Sequence, residues 1–130
     1  MTLTPPEGTY YSLPPASAQR LEVAARLRRL YDAWGYAPVD VPVLERYDPA
    51  HPAAERSFKL SDRGAEVLAL RADFTPAIAG LVGLHYPEAA GRAPVPKRFQ
   101  YCGKLWQALD SDMARTREYT QVGLELVGVS

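Results

Sequence analysis

Alternating apolar and polar residues predict one long antiparallel β-hairpin at residues 98–128. On its returning arm, residues 118–127, the apolar face consists of Val122, Leu124 and Leu126, and the opposite face of Tyr119, Gln121, Gly123 and Glu125. We expect the apolar face to pack on the core. The polar face allows two interpretations that periodicity does not separate: a ligand floor with room above Gly123, or a solvated sheet face with a glycine bulge.

Upstream of the hairpin, the pattern predicts an extended arm and a helix. Residues 1–16 hold four prolines, which predicts an arm that docks on the domain instead of a folded element. The helix should begin near Ser17 as its N-cap and end at Gly35. Its apolar stripe, spaced by three and four residues, is Leu21, Ala24, Leu27, Tyr31 and Trp34.

The middle of the chain predicts short strands and a second helix. Residues 37–44 have a strand composition but contain Pro38 and Pro42, so this strand should lie at a sheet edge or a subunit boundary. Residues 57–60 and 66–70 flank a turn-forming tetrad, residues 61–64, and should form a short hairpin. Thr75 and Pro76 should open a helix that runs to about residue 85, with Thr75 as its N-cap.

Composition limits the class of protein. The 130 residues, 47% hydrophobic and 23% charged, predict one soluble globular domain. Basic and acidic residues number 15 each, so the chain has no overall positive field and bulk nucleic-acid binding is not expected, although a local patch is left open. The chain has no unbroken apolar run of membrane-spanning length and no signal-peptide pattern, so we expect no membrane contact.

Few side chains are candidates for covalent or metal chemistry. Cys102 is the single cysteine, which excludes an internal disulfide, fits the reducing cytoplasm and, within a strand pattern, predicts a buried inert thiol. His51 and His85 lack metal-ligand spacing, so we expect surface residues and no metal or other cofactor. The polar hairpin connection, residues 108–116, is long enough to close over a ligand, and Arg115 and Arg117 near its end are candidate anion contacts.

The order of these motifs resembles the catalytic core of class II aminoacyl-tRNA synthetases, specifically the histidyl-tRNA synthetase branch. The resemblance covers residues 17–128 and is carried by Pro42 and by the segments FKLSDRGAEVLALRADFT, RFQYCGKLWQ and REYTQVGLELVG. It implies an α+β fold with an antiparallel sheet flanked by helices, truncated after the second class II motif. Residues 1–16 would be the arm and residues 17–130 a partial synthetase-like core.

The resemblance also implies roles for individual residues. Pro42 matches the first class II motif, which builds the dimer interface in the family. Four residues match the positions that surround the amino group and imidazole of bound histidine: Asp73, Thr75, Gln121 and Glu125. The chemistry agrees, because carboxylates pair with an ammonium group and an amide or hydroxyl can bond an uncharged ring nitrogen.

Departures from the synthetase pattern argue against aminoacylation. Gln107 stands where the family has an arginine that holds the α-phosphate of ATP, and a neutral amide cannot stabilise that charge. Leu109 and Asp110, or residues near them, stand where further ATP contacts are found. The third motif and an anticodon-binding domain do not follow within residues 1–130. In keeping an amino-acid floor without the ATP contacts, the chain is similar to the regulatory subunits of ATP phosphoribosyltransferase.

This similarity implies a non-catalytic regulatory subunit of a glycosyltransferase, the first enzyme of histidine biosynthesis. Its partner would be the short catalytic subunit, in a cytoplasmic homodimer or higher hetero-oligomer, with histidine as feedback effector. Members of that family are longer, so we expect a truncated or divergent form. Two alternatives are a fragment or degenerate relative of histidyl-tRNA synthetase, and a structural remnant that only dimerises.

Overall fold

The computed structural model describes residues 3–91, 94–109 and 116–129. In chain order the elements are α1 (Ala16–Ala33), β1 (Ala37–Pro38), β2 (Leu44–Arg46), β3 (Lys59–Ser61), β4 (Val67–Leu70), α2 (Thr75–His85), β5 (Lys97–Trp106) and β6 (Glu118–Val127). Single turns of 3-10 helix lie at Ala54–Arg56 and Pro87–Ala90. This mixture confirms the predicted α+β class.

The strands form two three-stranded sheets, ordered β1-β5-β6 and β2-β4-β3. In the first sheet β1 runs parallel to β5, with residue 37 opposite residue 99, whereas an antiparallel sheet was predicted. The Trp106 side chain donates to that of Glu118, and one residue further along, the Gln107 N–H donates to the Arg117 carbonyl. Since the partner number falls as the residue number rises, β5 and β6 are antiparallel, as the hairpin pattern predicts. The second sheet is antiparallel throughout.

Local turn and cap signals are mostly confirmed. The backbone of Gly35 has φ +78, and the Tyr36 N–H donates to the Tyr31 carbonyl at 3.0 Å, which closes the end of α1 as a glycine cap does. The β3–β4 hairpin turns through residues 62–66, where the Asp62 N–H donates to the Glu66 carbonyl. The predicted Ser17 cap is wrong, because α1 already begins at Ala16.

The chain divides into two compact units. The first draws on Met1–Ala18, Pro42–Ala72 and Lys104–Thr120, and the second on Gln19–Val41, Asp73–Gly103 and Gln121–Ser130. Buried residues of the first unit include Ala53, Ala69, Ala72 and Leu105, and those of the second include Phe74, Ile78, Val82, Phe99 and Tyr101. The division of the sequence into an arm and a core at residue 16 stays a prediction.

Arg71 is a buried cation in the first unit, with only 3% of its surface exposed. Its Nη1 donates to the Pro42 carbonyl at 3.3 Å and its Nη2 to the Lys104 carbonyl at 3.0 Å. Carbonyl acceptors offset part of the cost of burying a guanidinium. These bonds join the segment before β2 to the end of β5 within this unit.

The N-terminal arm, residues 3–15, has no helix or strand and contacts the two residues just before β6. Gly8 is buried, and its carbonyl accepts hydrogen bonds from the Arg117 N–H at 2.7 Å and from Thr116 Oγ1 at 3.0 Å. Gly8 has φ +73, and a Cβ there would overlap the Arg117 side chain. The predicted docking of the arm is therefore confirmed, and it depends on a glycine.

Two predictions of burial are wrong. Leu124 and Leu126 of β6 are 40% and 42% exposed, although their face was expected to pack on the core. Cys102 of β5 is exposed as well, not a buried thiol. Phe99 and Tyr101 of β5 are buried, and Phe74, just before α2, stacks on Tyr101. The face of β6 with the polar sequence is therefore the covered face.

The apolar stripe of α1 is only partly covered. None of its residues is buried, and Leu21 and Trp34 at the two ends of the predicted stripe are 73% and 71% exposed. The middle of the stripe, Ala24, Leu27 and Tyr31, is half-buried. The helix forms where predicted, but the described residues contact it along the centre of the stripe only.

Candidate functional site

The four residues that the sequence assigned to histidine binding all lie in the second unit. Asp73 and Thr75 stand at the start of α2, and Gln121 and Glu125 lie on one face of β6. Thr75 Oγ1 donates to Glu125 Oε1 at 2.6 Å, and the Thr75 N–H donates to Asp73 Oδ1 at 3.2 Å. These bonds bring the helix start and the strand together.

Thr75 does not cap α2, which corrects the sequence prediction. The cap position is Phe74, with no side-chain cap bond, and Thr75 is the first helical residue. The Thr75 hydroxyl instead donates to Glu125 Oε1, which is a charge-assisted hydrogen bond. The bond from the Thr75 N–H to Asp73 takes the place of the expected threonine cap.

Tyr101 is the centre of the cluster, and sequence reasoning missed it. Its ring lies over Gly123, where an added Cβ would overlap the ring, so the predicted empty room above Gly123 is wrong. Its hydroxyl lies 3.5 Å from Gln121 Nε2. Its ring stacks on Phe74 with centroids 4.3 Å apart and planes 17° apart. The space above Gly123 is therefore filled by a side chain of β5.

The electrostatics of the cluster are negative. Burial raises the pKa of the Tyr101 hydroxyl, and the charges of Glu125 and Asp73 raise this pKa further, so the phenol stays neutral at physiological pH. Within residues 3–91, 94–109 and 116–129, no lysine or arginine forms an ion pair with Asp73 or Glu125. Two carboxylates without a protein cation suit a ligand with a positive charge.

Gln107, which stands at the position of the synthetase arginine, is engaged within the first unit. Its Nε2 donates to the Ala72 carbonyl at 3.3 Å and to the Tyr119 hydroxyl at 3.0 Å. An amide has two N–H donors, so both are used in these bonds. The side chain is neutral and has no N–H left for a phosphate.

The remaining predicted site residues lie in the first unit or outside the described residues. Arg115, with residues 110–115 of the connection, lies outside the described residues. The Arg117 guanidinium stacks over the Phe58 ring, 4.6 Å from its centroid. Pro42 is exposed, and its carbonyl accepts a bond from Arg71. Its place in a dimer interface stays a prediction.

Two other features are absent from the described residues. Among these residues, no three His, Cys, Asp or Glu side chains lie close enough together to hold a metal ion. In the same part of the chain, no helix combines the length and apolar character needed to cross a bilayer. His85 is exposed as predicted, and His51 is half-buried, with its Nδ1 accepting from the Ala53 N–H.

The signal that would have identified Tyr101 is its position across from a glycine. An aromatic ring that covers a glycine on the neighbouring strand is a recurrent cross-strand pair. Recognising the pair requires the register of β5 against β6. The register was not predictable, because a connection as long as residues 108–116 does not fix it.

The family model and the curated relatives point to one family. A family model described as Histidyl-tRNA synthetase matches residues 8–130. The ATP phosphoribosyltransferase regulatory subunit of Thermus thermophilus is 50% identical over 126 residues, which are 96% of this chain and 33% of that protein. The protein of the same name from Deinococcus radiodurans is 44% identical over 126 residues, covering 96% and 30%. The chain thus spans about a third of the length of these curated relatives.

The fold agrees with that family. A crystal structure from Bacillus halodurans, described as an ATP phosphoribosyltransferase regulatory subunit/histidyl-tRNA synthetase, superposes with a TM-score of 0.77 at 25% identity, covering 95% of this chain and 32% of that one. The class II synthetase-like α+β fold expected from the sequence is confirmed. Since the family match extends over nearly the whole chain, the chain belongs to the histidyl-tRNA synthetase family.

Proposed function

We propose that this chain is part of a regulatory subunit of ATP phosphoribosyltransferase and that its second unit binds histidine. The observation that carries the proposal is the pair of carboxylates, Asp73 and Glu125, held around Tyr101 without an ion pair to any described lysine or arginine. The names of the relatives support the regulatory role. The chain would itself be non-catalytic and act in the cytoplasm, where it would activate the short catalytic subunit and transmit feedback by histidine.

The cluster offers complementary groups for the ammonium group and the imidazole of histidine. The α-ammonium would pair with Asp73 and Glu125, whose two charges match a cation. The imidazole would take hydrogen bonds from Gln121 and from the neutral Tyr101 hydroxyl, each of which can donate and accept. Thr75 would act as a positioning residue, because its hydroxyl holds one oxygen of Glu125 in place.

Aminoacylation is the less favoured function. The amide of Gln107 is neutral and donates to Ala72 and Tyr119 within its own unit, so it would not neutralise the charge on an activated α-phosphate. We therefore expect no histidine-dependent exchange of pyrophosphate into ATP. Exchange above the rate of a blank without protein would favour the synthetase-like alternative.

Titration calorimetry with L-histidine tests the ligand. We expect saturable binding, weakened at least about tenfold by Glu125→Gln or Asp73→Asn, since each substitution removes one charge-assisted contact. The matched control is Glu55→Gln, an exposed glutamate in the 3-10 turn of the first unit, which should bind as the unsubstituted chain does. Histamine keeps the ammonium group and the ring, so Glu125→Gln should weaken the binding of histamine nearly as much as that of histidine.

Two results would refute histidine binding. One is the absence of saturable heat from the folded protein at neutral pH. The other is binding that Glu125→Gln and Glu55→Gln weaken equally, because the effect would then arise from net charge and not from the cluster.

Reconstitution tests the regulatory role. The chain would be mixed with the catalytic subunit, and phosphoribosyl transfer would be measured with and without histidine. We expect co-purification of the two proteins, a faster transfer, and inhibition by histidine that Glu125→Gln weakens. Sedimentation should also show self-association through the segment around Pro42. Failure to co-purify would refute the partnership but would leave histidine binding intact.

A further inference from the structure

A cavity of about 580 Å³ lies entirely within the first unit, between the N-terminal arm and the hairpin. Its volume falls in the range of about 300–1,000 Å³ that is typical of small-molecule sites. We propose that this cavity binds a small molecule in which an anionic group is attached to a planar aromatic ring. The proposal does not depend on histidine binding, since none of the residues assigned to histidine lines the cavity.

The wall of the cavity includes four aromatic side chains. Tyr10 and Tyr11 of the arm face the cavity together with Phe58, Trp106 and the aliphatic Leu70. Tyrosine and tryptophan rings provide stacking surfaces for another planar ring. A planar ligand therefore matches these walls better than a flexible aliphatic chain does.

The wall carries two carboxylates, Glu7 and Glu118, and two cations, Lys104 and Arg117. Lys104 and Glu118 form an ion pair, and Glu118 also accepts from Trp106 Nε1 at 2.7 Å, so these two charges compensate each other. Arg117 differs, because no described carboxylate forms an ion pair with its guanidinium. A guanidinium that no carboxylate neutralises is suited to a carboxylate or phosphate of a ligand.

The Arg117 side chain is also held in place before any ligand arrives. Its guanidinium lies 4.6 Å over the Phe58 ring, and its aliphatic part packs against Gly8 of the arm. Its backbone N–H donates to the Gly8 carbonyl at 2.7 Å. A cation fixed by packing loses less conformational entropy on binding than a free surface arginine does.

Two classes of compound combine an anionic group with a planar ring: nucleotides and aromatic carboxylic acids. Fluorescence titration shows which of the two classes binds. Trp34 and Trp106 are the two tryptophans, and Trp34 is 71% exposed, so Trp34→Phe leaves Trp106 as a reporter in the cavity wall. This variant would be titrated with AMP and with phenylacetate. Adenosine serves as the probe without a charge, and inorganic phosphate as the probe without a ring.

We expect saturable quenching or enhancement of Trp106 emission by AMP, by phenylacetate or by both, and at least tenfold weaker binding of adenosine and phosphate. Arg117→Gln should weaken binding about tenfold or more, the loss expected for a charge-assisted contact. The matched control is Arg98→Gln, an exposed cation at the start of β5 that does not line the cavity.

The proposal is overturned if neither anion saturates the signal, or if Arg117→Gln and Arg98→Gln bind as the parent does. Circular dichroism shows whether Arg117→Gln folds. If that variant fails to fold, Arg117→Lys replaces it: lysine keeps the charge but lacks the planar fork, so binding should fall several-fold. Unchanged affinity of the lysine variant would equally overturn the proposal.

Discussion

Replacing Gly123 by alanine tests the packing at the centre of the candidate site. The new Cβ would lie 2.5 Å from Cζ and 2.8 Å from Cε2 of Tyr101, about 1 Å inside an ordinary carbon–carbon contact of roughly 3.5–4.0 Å. The ring cannot yield freely, because Phe74 stacks on it and is itself only 1% exposed. We therefore expect strain in the core of the second unit.

Overpacking of a well-filled core costs about 1–3 kcal/mol. With a urea m value of roughly 1.5 kcal/mol per M, the midpoint of unfolding of Gly123→Ala should fall by about 0.7–2 M. Urea titration followed by circular dichroism measures that shift. Adding Tyr101→Phe removes the hydroxyl oxygen, the atom nearest the new Cβ, and should restore part of the lost stability.

The matched control is Gly80→Ala in α2. A Cβ at Gly80 meets no atom within 4 Å, and alanine in a helix is favoured over glycine by about 0.5–1 kcal/mol. The two glycine substitutions should therefore shift stability in opposite directions. If Gly123→Ala is as stable as the parent, or if Tyr101→Phe restores nothing, Tyr101 does not occupy the space above Gly123.

Three further predictions concern single groups. The hydrogen bond from Lys104 lowers the pKa of Glu118 below the ordinary 4.5, so its contribution to stability is present above pH 4.5 and is lost as the pH falls through the lowered value; Glu118→Gln should flatten this part of an acid-unfolding curve. Gly8→Ala, which forces φ +73 on alanine and a clash with Arg117, should cost about 1–2 kcal/mol locally and speed proteolysis of residues 3–15 while the helix signal stays constant. Burial and nearby carboxylates raise the pKa of Tyr101 above the ordinary 10.0. The stability that its neutral hydroxyl contributes is present below pH 10 and is lost as the pH rises through the raised value. The tyrosinate absorbance of the parent should therefore differ from that of Tyr101→Phe only above pH 10.

Elements governed by local chemistry were predictable from the sequence. Glycine at position 35 ends α1 because the left-handed conformation there, φ +78, carries little cost without a Cβ. The turn between β3 and β4 follows from the residues of the tetrad, and the long hairpin follows from strict alternation. Each of these signals acts within a few residues, so no knowledge of distant contacts is needed.

The choice of covered face was not predictable in the same way. Leu124 and Glu125 are neighbours on β6, and alternation places them on opposite faces without saying which face is covered. The more polar face carries the buried contact because Tyr101 of β5 meets Phe74 from a segment that is distant in sequence. The same contact explains why Cys102, adjacent to Tyr101, is exposed.

The candidate site shows a third case, in which the residues were predicted and their local roles were not. Asp73, Thr75, Gln121 and Glu125 were named through the resemblance to a family, and the structure brings them together. The cap signal of Thr75 and Pro76 was strong, yet the threonine hydroxyl donates to Glu125. The cap is absent because Thr75 is already the first helical residue. The acceptor of its hydroxyl lies 50 residues away, so a local sequence pattern does not contain it.

The bonds already made in the cluster limit what a ligand can use. One oxygen of Asp73 accepts from the Thr75 N–H, and one oxygen of Glu125 accepts from the Thr75 hydroxyl. Each carboxylate therefore keeps a second oxygen, and these two oxygens carry the charges that no described cation neutralises. An ammonium group has three N–H donors and matches such acceptors, whereas a carboxylate or phosphate would be repelled. The proposed specificity for the amino end of histidine thus follows from the same threonine that orients both acids.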